Sequence, residues 1–358
     1  MSKLKVGIVG CGGIANNKHM PAIIKHGGFE MAAFCDILLD RAKKAKEQFG
    51  SENAKVFTDY QELIKEELDA VYVLTPNKSH ACISIAALEA GKHVMCEKPM
   101  AKTYEEAKEM AAAAKRTGKL LTIGYQNRYR PDSEYLKRAC ETGDLGEIYY
   151  AKAHAIRRRA VPTWGVFLNE EEQGGGPLID IGTHALDLTL WMMNNYEPAS
   201  VTGSVFRKLA DQTETGNVFG EWDPKEFTVE DSAFGFIKMK DGATIGLEAS
   251  WALNSLDVDE AKTTLCGTKA GADMKDGLRL NYVRYNKQCV EKPGLDAGSV
   301  AFFDGDAENE EDLEQTVFYN AIVKGGALTV TPEQAMVVTR ILEAIYESAQ
   351  TGKTVCFE

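Results

Sequence analysis

One stretch decides the fold of the first part of the chain: Lys5-Val6-Gly7-Ile8-Val9-Gly10-Cys11-Gly12-Gly13-Ile14-Ala15. It predicts a short apolar strand, a G-x-G-x-x-A turn and the start of a helix, which is the order found in dinucleotide-binding sheets. Gly10 permits the tight turn, Gly12 lets the backbone approach a pyrophosphate, and the small Ala15 lets helix and strand pack closely. The helix N-terminus offers unpaired N–H groups to the phosphates. The expected dinucleotide contacts in this stretch are Gly10, Gly12, Gly13 and Ile14.

Strand and helix patterns alternate from this turn to about residue 124. Apolar runs of strand length occur at residues 29–35, 70–74, 93–96 and 120–124. This alternation predicts a doubly wound parallel sheet, the Rossmann fold, in a dinucleotide-binding domain of residues 1–126. Ligands of such sheets bind outside the carboxyl ends of the strands, so the residues that follow each strand are the candidates for binding and chemistry.

The residue that ends the second strand indicates which dinucleotide binds. Asp36 is placed to accept hydrogen bonds from the adenosine ribose hydroxyls and to repel a 2′-phosphate, and the next basic residue is Arg41. We therefore expect NAD rather than NADP. A plain helix N-cap would occupy the same position as Asp36, and this alternative stays open. Further expected cofactor contacts follow the later strands and are Thr75, Pro76, Asn77, His80, Glu97, Lys98 and Gln126.

The stretch Cys96-Glu97-Lys98-Pro99 places a lysine directly after a buried strand. A side chain that removes a proton from a substrate must lie within hydrogen-bond reach of it, and this end of the sheet is where a substrate would bind. Lys98 is therefore the first candidate for proton chemistry. An ordinary surface lysine in a loop is the alternative.

Length and composition narrow the class of protein. A chain of 358 residues is too long for one ordinary core and predicts two domains. The net charge of −12 argues against nucleic acid or an anionic membrane as a partner. The eight cysteines form no C-x-x-C pair, and several lie inside apolar strand-like runs, which suggests small buried hydrophobes in a reducing cytoplasm rather than disulfides or a zinc site. No signal region or membrane-spanning run is evident, and we expect a cytoplasmic protein.

The pattern changes beyond residue 127 and predicts a second domain, residues 127–358, for substrate binding and oligomerisation. Turn signals such as Lys240-Asp241-Gly242 separate its strands and predict an α+β domain with a large open, mostly antiparallel sheet. We expect a long loop at 211–225, either surface decoration or a lid, and a solvated acidic turn and helix start at 304–314. The strand-like runs lie at 148–156, 200–206, 232–239, 243–251, 263–266 and 278–285.

Three motifs together make the chain resemble the Gfo/Idh/MocA oxidoreductases: the glycine turn, Glu97-Lys98-Pro99, and Gly176-Pro177-Leu178-Ile179-Asp180-Ile181-Gly182-Thr183-His184. The resemblance implies hydride transfer between nicotinamide and a sugar, glycoside or polyol, with proton transfer by Lys98. It also implies a cis Lys98-Pro99 bond and a homo-oligomer formed through the exposed face of the second sheet. More narrowly, the segments 157–159, 164–167 and 174–177 resemble a bacterial branch that includes glycoside 3-dehydrogenases, which oxidise a glucoside at C3.

The stretch 177–194 predicts a helix that carries Asp180, His184, Asp187 and Trp191 on one face. Three interpretations compete: a capping Asp180 beside a structural His184, a divalent metal site, and a dehydrogenase site in which both residues act with Lys98. The cofactor motifs favour the third interpretation, and a lysine-based hydride site needs no metal, so we expect none. His80 is the one other histidine that could touch cofactor.

The expected catalytic set is Lys98, His184 and Asp180. Either Lys98 or His184 acts as acid and base while the other bonds the substrate hydroxyl, and Asp180 orients them. Arg128, Arg159 and Trp164 are expected to line the nicotinamide and sugar end, with a packed or salt-bridged scaffold role as the alternative. A dehydrogenase of inositol, another polyol or another sugar, an enzyme that uses NAD transiently, and a silent NAD-binding sensor are the competing functions.

Overall fold

The computed structural model describes residues 3–295 and 310–357, which form two compact units. The first unit comprises the residues up to Tyr129 together with the described part of Glu308–Met336, and the second comprises the remainder. Residues 310–336, which the sequence pattern assigned to the second domain, therefore belong to the first unit. The acidic segment predicted at 304–314 lies partly outside the described residues, and its described part begins a helix at Glu310.

Six parallel strands form the sheet of the first unit, in the order β3-β2-β1-β4-β5-β6. The predicted doubly wound sheet is confirmed. Strand order reverses between β1 and β4, and sheets of this kind bind ligands in the crevice at that reversal. The strands are β1 (Leu4–Val9), β2 (Phe29–Cys35), β3 (Lys55–Phe57), β4 (Ala70–Val73), β5 (His93–Cys96) and β6 (Leu121–Ile123).

Nine strands form the sheet of the second unit, in the order β14-β13-β12-β11-β7-β10-β9-β8-β15. Among the described strands of this sheet, only β7 and β10 pair in parallel, so the predicted mostly antiparallel sheet is confirmed. The strands are β7 (Ile148–Ile156), β8 (Pro198–Phe206), β9 (Ser232–Met239), β10 (Thr244–Ser250), β11 (Asp259–Gly267), β12 (Ala270–Asp273), β13 (Arg279–Arg284), β14 (Lys287–Glu291) and β15 (Val355–Cys356).

The α-helices of the described residues vary widely in length, and none of them is long and apolar enough to cross a lipid bilayer. Helix α5 opens with a capping box in which Glu106 N–H donates to Thr103 Oγ1 and Thr103 N–H donates to Glu106 Oε2. The helices are α1 (Met20–His26), α2 (Leu39–Phe49), α3 (Tyr60–Leu63), α4 (His80–Glu89), α5 (Tyr104–Thr117), α6 (Pro131–Glu141), α7 (Glu170–Gln173), α8 (Thr183–Met193), α9 (Glu310–Lys324) and α10 (Pro332–Thr351).

The two faces of the second sheet differ in what covers them. Helix α8 packs on β7 and β11, and the inward side chains of the central strands are small or aliphatic, as at Ala153 and Leu247. Side chains alternate between faces along a strand, so Phe234, Phe236 and Glu248 point the opposite way. On this outer face Phe236 is 58% exposed.

Candidate functional site

The glycine turn follows β1 and touches the loop that follows β4. Gly10 adopts φ +92°, and a Cβ built there would lie 2.5 Å from the carbonyl oxygen of Leu74. Only glycine therefore fits this position. A Cβ at Gly12 would meet no atom within 4 Å, so the backbone borders open space. A closed turn at Gly10 beside an open one at Gly12 fits a dinucleotide pyrophosphate.

Asp36 binds the glycine turn directly. Its Oδ2 accepts the Cys11 N–H at 2.9 Å, and its Oδ1 accepts the Leu38 N–H at 2.9 Å. The N-cap of α2 is Leu38, so Asp36 does not occupy the plain N-cap position left open by the sequence. Each carboxylate oxygen can accept a further hydrogen bond, which fits the vicinal hydroxyls of a ribose.

The loop after β4 is held to the loop after β5 by one histidine. His80 Nε2 lies 2.8 Å from the carbonyl oxygen of Thr75, and His80 Nδ1 lies 2.8 Å from that of Pro99. Burial lowers the pKa of His80. Neutral His80 donates to one of these carbonyl oxygens, and the second lies against its other ring nitrogen, so the ring packs between the two loops and is not placed to hydrogen-bond a cofactor.

The Lys98-Pro99 peptide bond is cis, as the family resemblance implies, and Glu97 anchors the residues before it. Glu97 Oε2 accepts the Lys98 N–H at 3.0 Å, and Glu97 Oε1 lies 3.0 Å from Lys18 Nζ and 2.7 Å from His19 Nε2. Burial would raise the pKa of Glu97, but the Lys18 ammonium and His19 hold it well below its usual range. The Glu97 carboxylate therefore points into the protein and supports the Lys98 loop, whereas the sequence suggested a cofactor contact.

Lys18 and Glu314, which the sequence analysis did not single out, complete this buried cluster. Lys18 Nζ lies 3.3 Å from Glu314 Oε2 and donates to Gln126 Oε1 at 3.2 Å. Burial raises the pKa of Glu314, and the Glu97 carboxylate adds to this rise, although the Lys18 ammonium and His19 act in the opposite direction. Glu314 lies on α9, more than two hundred residues from Lys98, and no local pattern could have indicated the pairing.

Arg128 has a packed scaffold role, the alternative to lining the substrate end. The side chain is fully buried, and Nη1 donates to the carbonyl oxygen of Thr329 at 2.7 Å and to Gln334 Oε1 at 2.6 Å. A guanidinium so enclosed does not reach a substrate. It ties the returning segment 310–336 to the first unit.

In the second unit, the helix predicted over 177–194 begins with a wider turn. Leu178–Gly182 is π-helical, and α8 follows it and ends at Met193, with Asn194 as the C-cap at φ +47°. A π-helical turn hydrogen-bonds i to i+5, so Asp180 lies in a wider turn than the regular helix that the sequence predicts. Such turns are frequent at functional sites.

Glu230 caps the start of this helix from a distant part of the chain. Its carboxylate accepts the Gly176 N–H at 2.8 Å, the Leu178 N–H at 3.1 Å and the Tyr346 hydroxyl at 2.9 Å. Burial raises the pKa of Glu230 although these donors favour its charged form. The carboxylate satisfies backbone donors that a helix start leaves unpaired.

Asp180 has an aromatic partner and a cationic neighbour. Its Oδ2 accepts the Trp251 Nε1–H at 3.0 Å. Burial would lower the pKa of Arg157, but Glu260 and, to a smaller degree, Asp180 raise it, which places Asp180 in the field of that guanidinium. His184 and Asp187 are buried on α8. Among the described residues, no group of three or more metal-ligating side chains could hold an ion.

Arg159 and Trp164, the two remaining candidates for substrate contact, lie on one surface with the 211–225 loop. Arg159 Nη2 donates to Asn254 Oδ1 at 2.6 Å, and its carbonyl oxygen accepts the Val218 N–H at 3.1 Å. Trp164 is 53% exposed and contacts Phe219 edge to face, with ring centroids 4.9 Å apart. The loop is therefore bonded to residues 159–164.

Comparison with known proteins gives matches over most of the chain. A family model described as an oxidoreductase family with an NAD-binding Rossmann fold matches residues 4–125, and one described as the C-terminal alpha/beta domain of that oxidoreductase family matches residues 137–357. The expectation of NAD as the cofactor is confirmed by the first of these matches.

Individual relatives are dehydrogenases of sugars and polyols. The chain is 37% identical over 355 residues to D-glucoside 3-dehydrogenase of Escherichia coli, covering 99% of this chain and 97% of that protein. It is 30% identical over 193 residues to inositol 2-dehydrogenase of Salmonella typhimurium, covering 53% and 55%. The fold matches a structure of levoglucosan dehydrogenase in complex with NADH and L-sorbose, with TM-score 0.84, 23% identity and full coverage of both chains.

Proposed function

The chain belongs to the Gfo/Idh/MocA oxidoreductase family, and from this membership we propose that it oxidises a glucoside at C3 to a 3-keto sugar. The observation that supports this choice is the 37% identity to D-glucoside 3-dehydrogenase over nearly the whole of both chains. NAD supplies the hydride acceptor when bound, and the protein positions the reactants and handles the proton.

We assign cofactor binding to the carboxyl edge of the first sheet. The backbone at Gly12, Gly13 and Ile14 would hold the pyrophosphate, because a Cβ at Gly12 would meet open space. Asp36 would accept the ribose hydroxyls while it binds the Cys11 N–H. The backbone of Thr75–Asn77 would border the cofactor, held in place by His80.

We assign the hydroxyl proton to Lys98 and His184, with Asp180 as the residue that orients them. The backbone of Lys98 is fixed by Glu97, and Asp180 is fixed by Trp251. Either an amine or an imidazole can accept the proton as hydride leaves carbon, so the assignment of the base within this pair is open. Arg159 and Trp164 are the proposed substrate contacts.

The test is NAD reduction with glucosides, free hexoses and inositols, with analysis of the products for 3-keto sugars. Lys98→Met and His184→Ala should each lower turnover by about 100-fold or more, the usual contribution of general acid–base catalysis, while NAD binding persists. Near-normal turnover in both variants would disprove the acid–base assignment. Oxidation of inositols alone would favour the polyol dehydrogenase, which the 30% identity to inositol 2-dehydrogenase supports as second candidate.

We further propose a homo-oligomer formed through the outer face of the second sheet. Phe206 and Phe234 lie with ring centroids 6.1 Å apart on that face, and Phe236 follows on the same strand as Phe234. Aromatic side chains on an uncovered sheet face are typical of a surface that another subunit buries.

A reducing compartment, the cytoplasm, is the proposed place of action. All eight cysteines carry free thiols. Burial raises the pKa of Cys11 and of Cys35 to about 12, so both behave as small hydrophobic side chains. This use of cysteine is typical of proteins kept reduced.

A further inference from the structure

A continuous line of aromatic rings runs from Asp180 to the surface of the second unit. Asp180 accepts the Trp251 indole N–H, and the Trp251 ring lies 6.4 Å from that of Phe167. Phe167 lies 5.8 Å from Trp164, and Trp164 lies 4.9 Å from Phe219, both edge to face. Trp251 is fully buried, so the line begins in the core beside a proposed catalytic residue and ends in solvent.

The two outer rings of this line, those of Trp164 and Phe219, are about half exposed to solvent. Trp164 is 53% exposed and Phe219 is 46% exposed, although such side chains dominate cores and interfaces when they are buried. A fully buried aromatic side chain covers about 150–250 Å², so the half-exposed pair offers at most about 250 Å². A protein interface needs about 800 Å² per partner. The pair therefore fits a small planar group rather than another protein.

Hydrogen bonds between the two segments hold the pair in place. Thr163 Oγ1 donates to the carbonyl oxygen of Phe219 at 2.6 Å. Asn217 Oδ1 accepts the Val161 N–H at 2.8 Å, and Asn217 Nδ2 donates back to the Val161 carbonyl oxygen at 3.0 Å. Segments whose backbones are joined in this way lose little entropy when a ligand stacks on the rings they carry.

We infer that Trp164 and Phe219 form a platform for an aromatic aglycone, which makes aryl glucosides the preferred substrate class. This inference rests on the proposed oxidation of glucosides. The sugar hydroxyls require polar partners, which Asp180 and His184 supply, and the group linked to C1 extends away from the reacting C3. An apolar planar group gains area burial and ring contacts on the platform, whereas a methyl group gains little.

The test compares 4-nitrophenyl glucoside with methyl glucoside of the same anomeric configuration. We expect the wild type to show the higher kcat/KM for the aryl substrate, and Trp164→Ala and Phe219→Ala each to lower the ratio of the two values by about five- to tenfold, chiefly through KM. Trp164→Phe should restore most of the ratio. Tyr285→Ala, which removes an aromatic ring that is 85% exposed elsewhere in the second unit, should leave the ratio at the wild-type value.

A binding measurement separates failure of this inference from failure of the proposed function. Titration of both glucosides into the enzyme, followed by calorimetry, requires no turnover. If no glucoside is oxidised, the proposed function is wrong, and if the aryl compound then also binds no better than the methyl compound, the platform is wrong as well. If glucosides are oxidised but both alanine variants keep the wild-type ratio, the platform is wrong and the proposed function stands.

Discussion

Gly10 and Gly12 lie in the same turn, but a methyl group would meet different surroundings at each. At Gly12 alanine finds open space, so we expect Gly12→Ala to keep the melting temperature of the wild type without cofactor. It should raise the Kd for NAD by about tenfold or more, because the Cβ would stand between backbone and pyrophosphate. Calorimetry with NAD and thermal unfolding without it measure the two effects.

Gly10→Ala is the matched comparison for that experiment. Its Cβ would overlap the Leu74 carbonyl and its φ is +92°, so the substitution should destabilise the first unit even without NAD. Unaltered NAD binding by Gly12→Ala would contradict the assignment of the pyrophosphate to this turn.

The two carboxylates around Lys18 should differ in their contribution to stability. Glu97→Gln removes the carboxylate that lies nearest the buried Lys18 ammonium, at 3.0 Å against 3.3 Å for Glu314, and we expect it to cost about 3–5 kcal/mol of unfolding free energy at pH 7. Glu314→Gln removes the carboxylate whose pKa burial raises, so it should cost clearly less. Urea unfolding of the two variants at neutral pH measures the difference, and equal losses would show that Glu97 is not the dominant partner.

The pH dependence of that difference has a definite sign. The pKa of Glu97 is depressed in the folded protein, so its stabilisation is present above the ordinary carboxyl pKa of about 4.3 and is lost as the pH falls toward the folded value. The gap in stability between wild type and Glu97→Gln should therefore be widest near neutral pH and narrow below about pH 4. A gap that widens in acid would contradict the depressed pKa.

At the scale of single elements, the start of the helix that carries Asp180 depends on Glu230. We expect Glu230→Ala to destabilise the protein by about 1–3 kcal/mol, because it leaves the N–H groups of Gly176 and Leu178 buried without an acceptor. Glu230→Gln keeps an acceptor oxygen and should cost less. Thermal unfolding together with kcat measures both effects, and the exposed Glu226→Ala is the control.

Ionisation of Glu230 changes the stability of the fold with pH in the opposite direction to ionisation of Glu97. Burial raises the pKa of Glu230, so ionisation of this carboxyl costs stability as the pH rises above about 4.3. The loss of stability in Glu230→Gln relative to wild type should therefore be smaller at neutral pH than in acid. A glutamine variant as damaged as the alanine variant at every pH would show that the charge, and not the acceptor, holds the helix start.

Elements with a long regular pattern were predictable from the sequence. The runs at 148–156 and 232–239 coincide with β7 and β9, because eight or nine residues suffice for an alternating pattern. Strands β3 and β12 are as short as β5 and β6, but β3 is not buried and β12, Ala270–Asp273, is not an apolar run, so neither was predicted. The π-helical turn at Leu178–Gly182 was missed because 177–194 fits a regular helical pattern throughout.

The parts of the candidate site that the sequence could not supply are non-local contacts. The fingerprint glycines, Asp36 and the Lys98 loop follow strands and were predictable from position alone. Arg128 was misjudged because its partners, Thr329 and Gln334, lie about two hundred residues further along the chain. Only the folded chain brings such residues together.

At the scale of the whole molecule, the open outer face of the second sheet leads to a prediction about assembly. Phe236 is 58% exposed on that face, and burial of apolar area at about 25 cal/mol per Å² would favour association through it. We expect the wild type to sediment as a homo-oligomer and Phe236→Glu to shift it to a smaller species, because each interface would then bury an unpaired carboxylate.

A substitution of equal exposure elsewhere separates this effect from a general effect of added charge. Ile24 on α1 is 57% exposed in the first unit, and Ile24→Glu should keep the wild-type mass in analytical ultracentrifugation. Circular dichroism of both variants establishes that each remains folded. Two results would contradict self-association through this face. One is a monomeric wild type, and the other is a Phe236→Glu variant of unchanged mass.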